Sequence, residues 1–140
     1  MKIIAQNKKA HFEYDLLENY EAGLVLAGDE IKSIRLGKVS LIGSFAKIFM
    51  FHGKPEIWLV NAHIETTGTD PTRSRKLLMH KTEITKLIGK IQEKGLTLIP
   101  TKLYLKNGRA KVEVALGRGR KLHDKREAIK RREIDRSLKN

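Results

Sequence analysis

The chain has 140 residues, with 29 Lys or Arg against 16 Asp or Glu, a net charge of +13 and no cysteine. That length suits one domain with a single core, and the charge is the footprint of a nucleic-acid binder, with an anionic membrane surface the weaker option. Lack of cysteine excludes disulfides and thiolate zinc sites and fits a reducing cytoplasm, while no apolar run reaches the roughly 18–20 residues of a membrane span and Met1 to Gln6 is too short for a signal peptide.

Asn7, Lys8 and Lys9 give the chain a basic start. Ala10, Phe12, Tyr14 and Leu16 then alternate with His11, Glu13 and Asp15, the period of two that predicts a half-buried strand. Glu18 to Glu21 reads as a turn into a second strand, Ala22 to Ala27, which Gly28 breaks. Asp29 can cap a short helix over Glu30 to Leu36 that Gly37 ends. That helix buries Ile31 and Ile34 and turns Lys32, Arg35 and Lys38 outward. Phe45 to Phe51 and Ile57 to Asn61 flank His52-Gly53-Lys54-Pro55 as a hairpin, with Pro55 at a strand end. Trp58, the only tryptophan, has apolar neighbours and is expected in the core. Asp70-Pro71 predicts a helix start, with Asp as cap and Pro at the first position. The short helix it opens carries Arg73, Arg75 and Lys76 beside Leu77 and Leu78. Ile84, Leu87, Ile88 and Ile91 recur at helical spacing up to Gly95. Thr97 to Leu105 and Ala110 to Leu116 join at Asn107-Gly108, the dipeptide of a type I′ hairpin, with Val112, Val114 and Leu116 facing the core.

The expected fold is mainly β with α: a small antiparallel β-barrel of the oligonucleotide-binding type, about three flanking helices and a basic C-terminal tail. Residues 1–116 form the RNA-binding domain and 117–140 the tail. Gly117-Arg118-Gly119-Arg120 reads as a flexible basic hinge. From Gly117 to Asn140 there are ten Lys or Arg against four carboxylates, and the apolar residues Leu122, Ala128, Ile129, Ile134 and Leu138 are too few to fix a helix on a core. The tail is therefore expected to be disordered when free and helical when a polyanion neutralises it, helped by Glu127 with Arg131 and Asp135 with Lys139 at i,i+4.

Catalysis finds little support. His11, His52, His63, His80 and His123 are scattered without a metal-binding spacing, and no Gly-rich phosphate loop is present, so neither a metal nor a cofactor is expected. Three basic groups, Lys8 with Lys9, Lys32 with Arg35 and Lys38, and Arg73 with Arg75 and Lys76, are the candidate phosphate contacts. Aromatic residues are few, which favours recognition of folded RNA by shape and backbone over stacking on single strands.

Together, Asn7-Lys8-Lys9-Ala10-His11, Glu21-Ala22-Gly23-Leu24, Glu30-Ile31-Lys32-Ser33, the run from Asp70 to Leu78, and His123-Asp124-Lys125-Arg126 resemble the small protein B family, the bacterial SsrA-binding proteins. The resemblance implies a cofactor of trans-translation, not an enzyme. Such a protein binds the tRNA-like part of transfer-messenger RNA and accompanies it to stalled ribosomes, with elongation factor Tu in the delivery complex. By the same resemblance, Asn7, His11, Glu21, Leu78 and His80 lie on the RNA face. The tail, through Arg120, Lys121, His123, Asp124, Lys125, Arg126, Lys130 and Arg131, enters the empty messenger channel near the decoding centre. A cytoplasmic monomer is expected. The runner-up reading is a ribosomal or initiation-type barrel protein bound to ribosomal RNA; an RNA-processing enzyme would need a catalytic cluster that the sequence lacks.

Overall fold

Alternation of apolar and polar residues builds most of the chain, which a computed structural model describes over residues 1–120. In order, the elements are β1 (Lys2–Gln6), α1 (Lys8–Glu13), β2 (Tyr14–Leu24), α2 (Gly28–Arg35), β3 (Val39–Ser40), β4 (Phe45–Phe51), β5 (Lys54–Val60), β6 (His63–Ile64), β7 (Arg75–Leu78), α3 (Lys81–Lys94), β8 (Thr97–Lys106) and β9 (Arg109–Gly119). Both expected hairpins form. Asn107 (φ 52°) with Gly108 (φ 75°), and His52 (φ 49°) with Gly53 (φ 76°), occupy the positive-φ region that two-residue turns between twisted strands require.

The strands of the large sheet pair antiparallel in the order β8-β4-β5-β7-β2-β9, and β9 pairs back onto β8, so the pairings run round a ring. The β4–β8 contact is a single residue pair, Ala46 with Leu98; β1 pairs with Leu103 to Leu105 and with Lys102. β3 and β6 form a separate pair. The chain is thus mainly β with three helices among the described residues. Inside the ring, Ala22, Ile57, Leu59, Leu77, Leu98, Leu103, Val112, Val114 and Leu116 share one core with Ile34 of α2 and with Ile84 and Leu87 of α3. Each fully buried Val, Leu or Ile contributes about 1.5–3 kcal/mol. Gly95 (φ 62°) closes α3 as expected.

Five local expectations are corrected. Residues 8–13 form α1 rather than a strand, because the Asn7 side chain accepts the Ala10 N–H at 3.3 Å and starts a helix. Glu18 to Glu21 is not a turn: β2 continues through it, and a register shift between Leu16 and Glu18 interrupts the alternation that would have revealed it. Ala27, not Asp29, caps α2. Its N–H donates to Glu30 Oε1 at 2.9 Å, while Asp29 accepts from the Thr67 N–H at 3.3 Å. Asp70-Pro71 opens no helix, since Asp70 Oδ1 accepts from both the N–H and the hydroxyl of Thr72 at 2.9 Å. That local turn competes with helix formation, and the chain goes on into β7. Finally, Gly117 to Gly119 are not a hinge but the end of β9, paired with Leu16, Asp15 and Tyr14. The Arg120 N–H extends this to Glu13 O at 2.9 Å, past the boundary expected at 116.

The expectation that Trp58 lies in the core is also corrected: strand alternation buries Ile57 and Leu59 and leaves Trp58 half-buried on the outer side. It lies across from Lys47 and Lys76, while its neighbours Ile57 and Leu59 point inward.

Candidate nucleic-acid interface

Because Val112, Val114 and Leu116 point into the ring, Lys111 and Glu113 point out of it, and their partners extend two rows across the sheet. One row is Glu21, Glu113, Lys102 and Gln6; the next is Gly23, Lys111, Tyr104 and Ile3. Leu78 of β7 prolongs the second row beyond Gly23. Beside these rows α1 brings Lys8 and His11 into a groove with Gln6, Asn19, Lys102 and Glu113. A neighbouring hollow holds Glu21 with Lys106, Arg109 and Lys111. The two hollows hold five cations, Lys8, Lys102, Lys106, Arg109 and Lys111, against two carboxylates, Glu21 and Glu113.

Lys102 Nζ lies 3.2 Å from Glu113, which also accepts from the Thr101 hydroxyl at 3.1 Å. Glu21 accepts from the Tyr104 hydroxyl and lies 3.5 Å from Lys106 Nζ. The Tyr104 bond first, and the charges of Lys106 and Lys111 with it, hold the Glu21 carboxyl below its ordinary range. Burial and then the bond to Glu21 push the Tyr104 phenol up, so it stays a donor. An ionised Glu21 keeps acceptor positions for a base N–H or a 2′-hydroxyl, while the surrounding ammonium and guanidinium groups suit phosphates.

The basic group at 73–76 is turned to another task. Arg75 has no exposed surface. Its Nε donates to Glu30 Oε2 at 2.6 Å, its Nη1 to Ala62 O at 2.8 Å and Arg73 O at 3.0 Å, and its Nη2 to Pro71 O at 2.8 Å. Arg73 Nη2 donates to the other oxygen of Glu30, and Lys76 lies 3.7 Å from Glu56. Lys32, Arg35 and Lys38 are exposed on and just after α2, with Lys38 3.9 Å from Glu65. Lys9 sits 3.6 Å from Glu13 and lines a separate hollow with Tyr14 and Phe45.

Comparison with known proteins gives a consistent result. The family model described as SmpB protein matches residues 4–140. The chain belongs to the SmpB family. Membership places it among RNA-binding proteins rather than enzymes, and no group of three or more potential metal ligands occurs among the described residues. An SsrA-binding protein of Thermosynechococcus vestitus is 53% identical over 99% of this chain and 96% of its own length. Another, from Geobacillus kaustophilus, is 54% identical over 98% and 90%. In the solved structure described as "tmRNA-SmpB: a journey to the center of the bacterial ribosome", a chain 44% identical matches with a TM-score of 0.66, over 89% of this chain and 92% of that one.

Seen on the SmpB fold, the family-matched residues divide. Lys8, His11, Glu21 and Leu78 reach one outer face, Leu78 with over half its surface exposed. Asn7 is buried: besides capping α1, its Nδ2 donates to Pro100 O at 3.0 Å. His80 is exposed as the N-cap of α3, following strand β7. Arg120 Nε donates to Asp15 at 3.0 Å. Lys121, His123, Asp124, Lys125, Arg126, Lys130 and Arg131 lie outside the described residues. Lys102, Tyr104, Lys106, Arg109, Lys111 and Glu113 were missed in the sequence. The signal was available, for they are the alternate set to the core residues Leu103, Val112 and Val114.

No helix among the described residues is long and apolar enough to cross a membrane.

Proposed function

We propose that this chain binds the tRNA-like domain of transfer-messenger RNA on its α1–β2–β9–β8 face and delivers it to stalled ribosomes. The observation that carries the reading is the cluster of five cations around His11 and Glu21 on one side of a SmpB-family body, in a chain whose relatives are SsrA-binding proteins. Lys8, Lys102, Lys106, Arg109 and Lys111 meet phosphates; His11 and Glu21 meet bases or 2′-hydroxyls; Leu78 and His80 extend the contact toward α3. Lys9, Lys32, Arg35 and Lys38 add phosphate contacts outside this centre, whereas Arg73 and Lys76 are engaged by Glu30 and Glu56. Asn7 and Arg75 act through the backbone they hold. In this reading the strand ring is a barrel of the oligonucleotide-binding type and the protein is a cytoplasmic monomer. It travels with elongation factor Tu, and its tail occupies the empty messenger channel of the ribosome.

The test is the salt dependence of binding to the tRNA-like fragment. Lys102→Ala with Lys111→Ala should weaken binding and lower the log–log salt slope by roughly 0.7–0.9 for each phosphate that is no longer neutralised. An unchanged slope would place the RNA elsewhere. Sequencing the RNA that copurifies with the protein separates the alternative, since stoichiometric ribosomal RNA in place of a tRNA-mimicking species would make the chain a resident ribosomal protein.

A further inference from the structure

The outward face of the β4–β5 hairpin collects aromatic rings that the face around Glu21 does not use. Alternation puts Lys47, Phe49 and Phe51 on the side opposite Ala46 and Ile48. The register sets Trp58 across from Lys47, and Lys76 of β7 across from Trp58. The rings of Phe49 and Phe51 are 6.2 Å apart, those of Phe51 and Trp58 6.4 Å. Phe49 and Phe51 nevertheless remain 37% and 45% exposed. Lys47 Nζ stands 5.3 Å from the Phe49 ring centre, and Lys54 is exposed across from Phe51. Among the described residues no ion pair engages Lys47 or Lys54, and the hairpin's one carboxylate, Glu56, is taken by Lys76.

Partly exposed aromatic rings flanked by cations outside any ion pair, with Lys47 over the Phe49 ring, match the two halves of an unpaired nucleotide, its base and its phosphate. The patch is also continuous with the RNA face. β7 carries Lys76 beside Trp58 and, two residues on, the exposed Leu78 beside Gly23, in the row that leads to Lys111 and Tyr104. The geometry points to one extended interface in which Phe49 and Phe51 stack unpaired nucleotides of the same RNA whose folded part lies against Glu21, while Lys47 and Lys54 meet the flanking phosphates. This rests on the proposed function for the identity of the RNA.

Trp58, the only tryptophan, reports on the patch directly. Titrating the full chain with the tRNA-like fragment should quench its emission. Phe49→Leu with Phe51→Leu keeps the apolar area but removes the π faces, and should lower affinity about tenfold with an unchanged urea midpoint. Phe49→Tyr with Phe51→Tyr should restore it. A leucine pair that binds as tightly as the wild type overturns the stacking role and leaves the proposed function standing. A wild-type chain that does not bind the fragment overturns both.

Discussion

Glu30 has no exposed surface, yet it holds two guanidiniums and the N–H that starts α2. Burial alone would raise its pKa. The bonds from Ala27, Arg73 and Arg75 outweigh that and hold the carboxyl below its ordinary value. Glu30→Gln leaves the buried Arg75 without its counter-charge, and a broken buried pair costs about 3–5 kcal/mol. The sign of the pH dependence follows from the lowered value. Glu30 contributes its full stability above the unfolded carboxyl's pKa and loses it as pH falls through the folded one. Urea midpoints measured from pH 7 down to about pH 3 should fall for the wild type, and the Glu30→Gln chain should lack that part of the fall. Equal slopes would mean that Glu30 is not ionised in the folded protein. Glu21, at the surface, should behave otherwise: Glu21→Ala should change stability by less than about 0.5 kcal/mol while weakening RNA binding. If the domain unfolded while affinity per folded molecule stayed normal, Glu21 would be structural.

α1 has only six residues, too few to stand without its cap and the strands beneath it. Asn7→Ala removes the Ala10 cap and the bond to Pro100 O together. The expected loss is about 1–2 kcal/mol, with faster amide exchange confined to α1 and weaker RNA binding because Lys8 and His11 lose their support. Unchanged exchange at Ala10 would show that the helix does not need the cap. The same helix marks the limit of what the sequence could tell. Its Ala10 and Phe12 spacing is equally compatible with a strand, and only the Asn7 cap, a three-residue interaction, decides between them. α3, with four apolar residues at helical spacing, and the Asn107-Gly108 hairpin were legible because many residues agree on one period. β2 was not, because one register shift divides its pattern. At the site, composition pointed to RNA, and family motifs pointed to His11 and Glu21. Only the cross-strand register shows that Lys102, Tyr104 and Lys111 stand beside them, while Arg75, a cation within a basic run, is spent on Glu30.

Across the whole molecule, β9 runs from the Glu21 hollow to the end beside α1. It begins at Arg109, in the hollow with Glu21, and ends at Gly119 beside Tyr14, after which Arg120 binds Glu13 and Asp15. An 11-residue strand spans on the order of 30 Å at about 3.3 Å per residue. Arg120, the last described residue, therefore lies beside α1, at the end of β9 opposite the Glu21 hollow. Ending the chain after Arg120 keeps every described element and the Arg120 contacts, so the truncated protein should fold with an unchanged urea midpoint. It should also bind the tRNA-like fragment with an affinity reduced only by the missing long-range charge, an effect that fades as salt shortens the Debye length to about 8 Å. Tagging of stalled chains should nevertheless be abolished, since the proposed mechanism needs the tail in the channel. Ile129→Pro tests whether a helix is required there, because it leaves the net charge intact while costing a helix about 3 kcal/mol or more. Loss of tagging with normal RNA affinity is the expected result. Normal tagging by the proline chain would reduce the tail to an electrostatic arm, and normal tagging by the truncated chain would remove it from the mechanism.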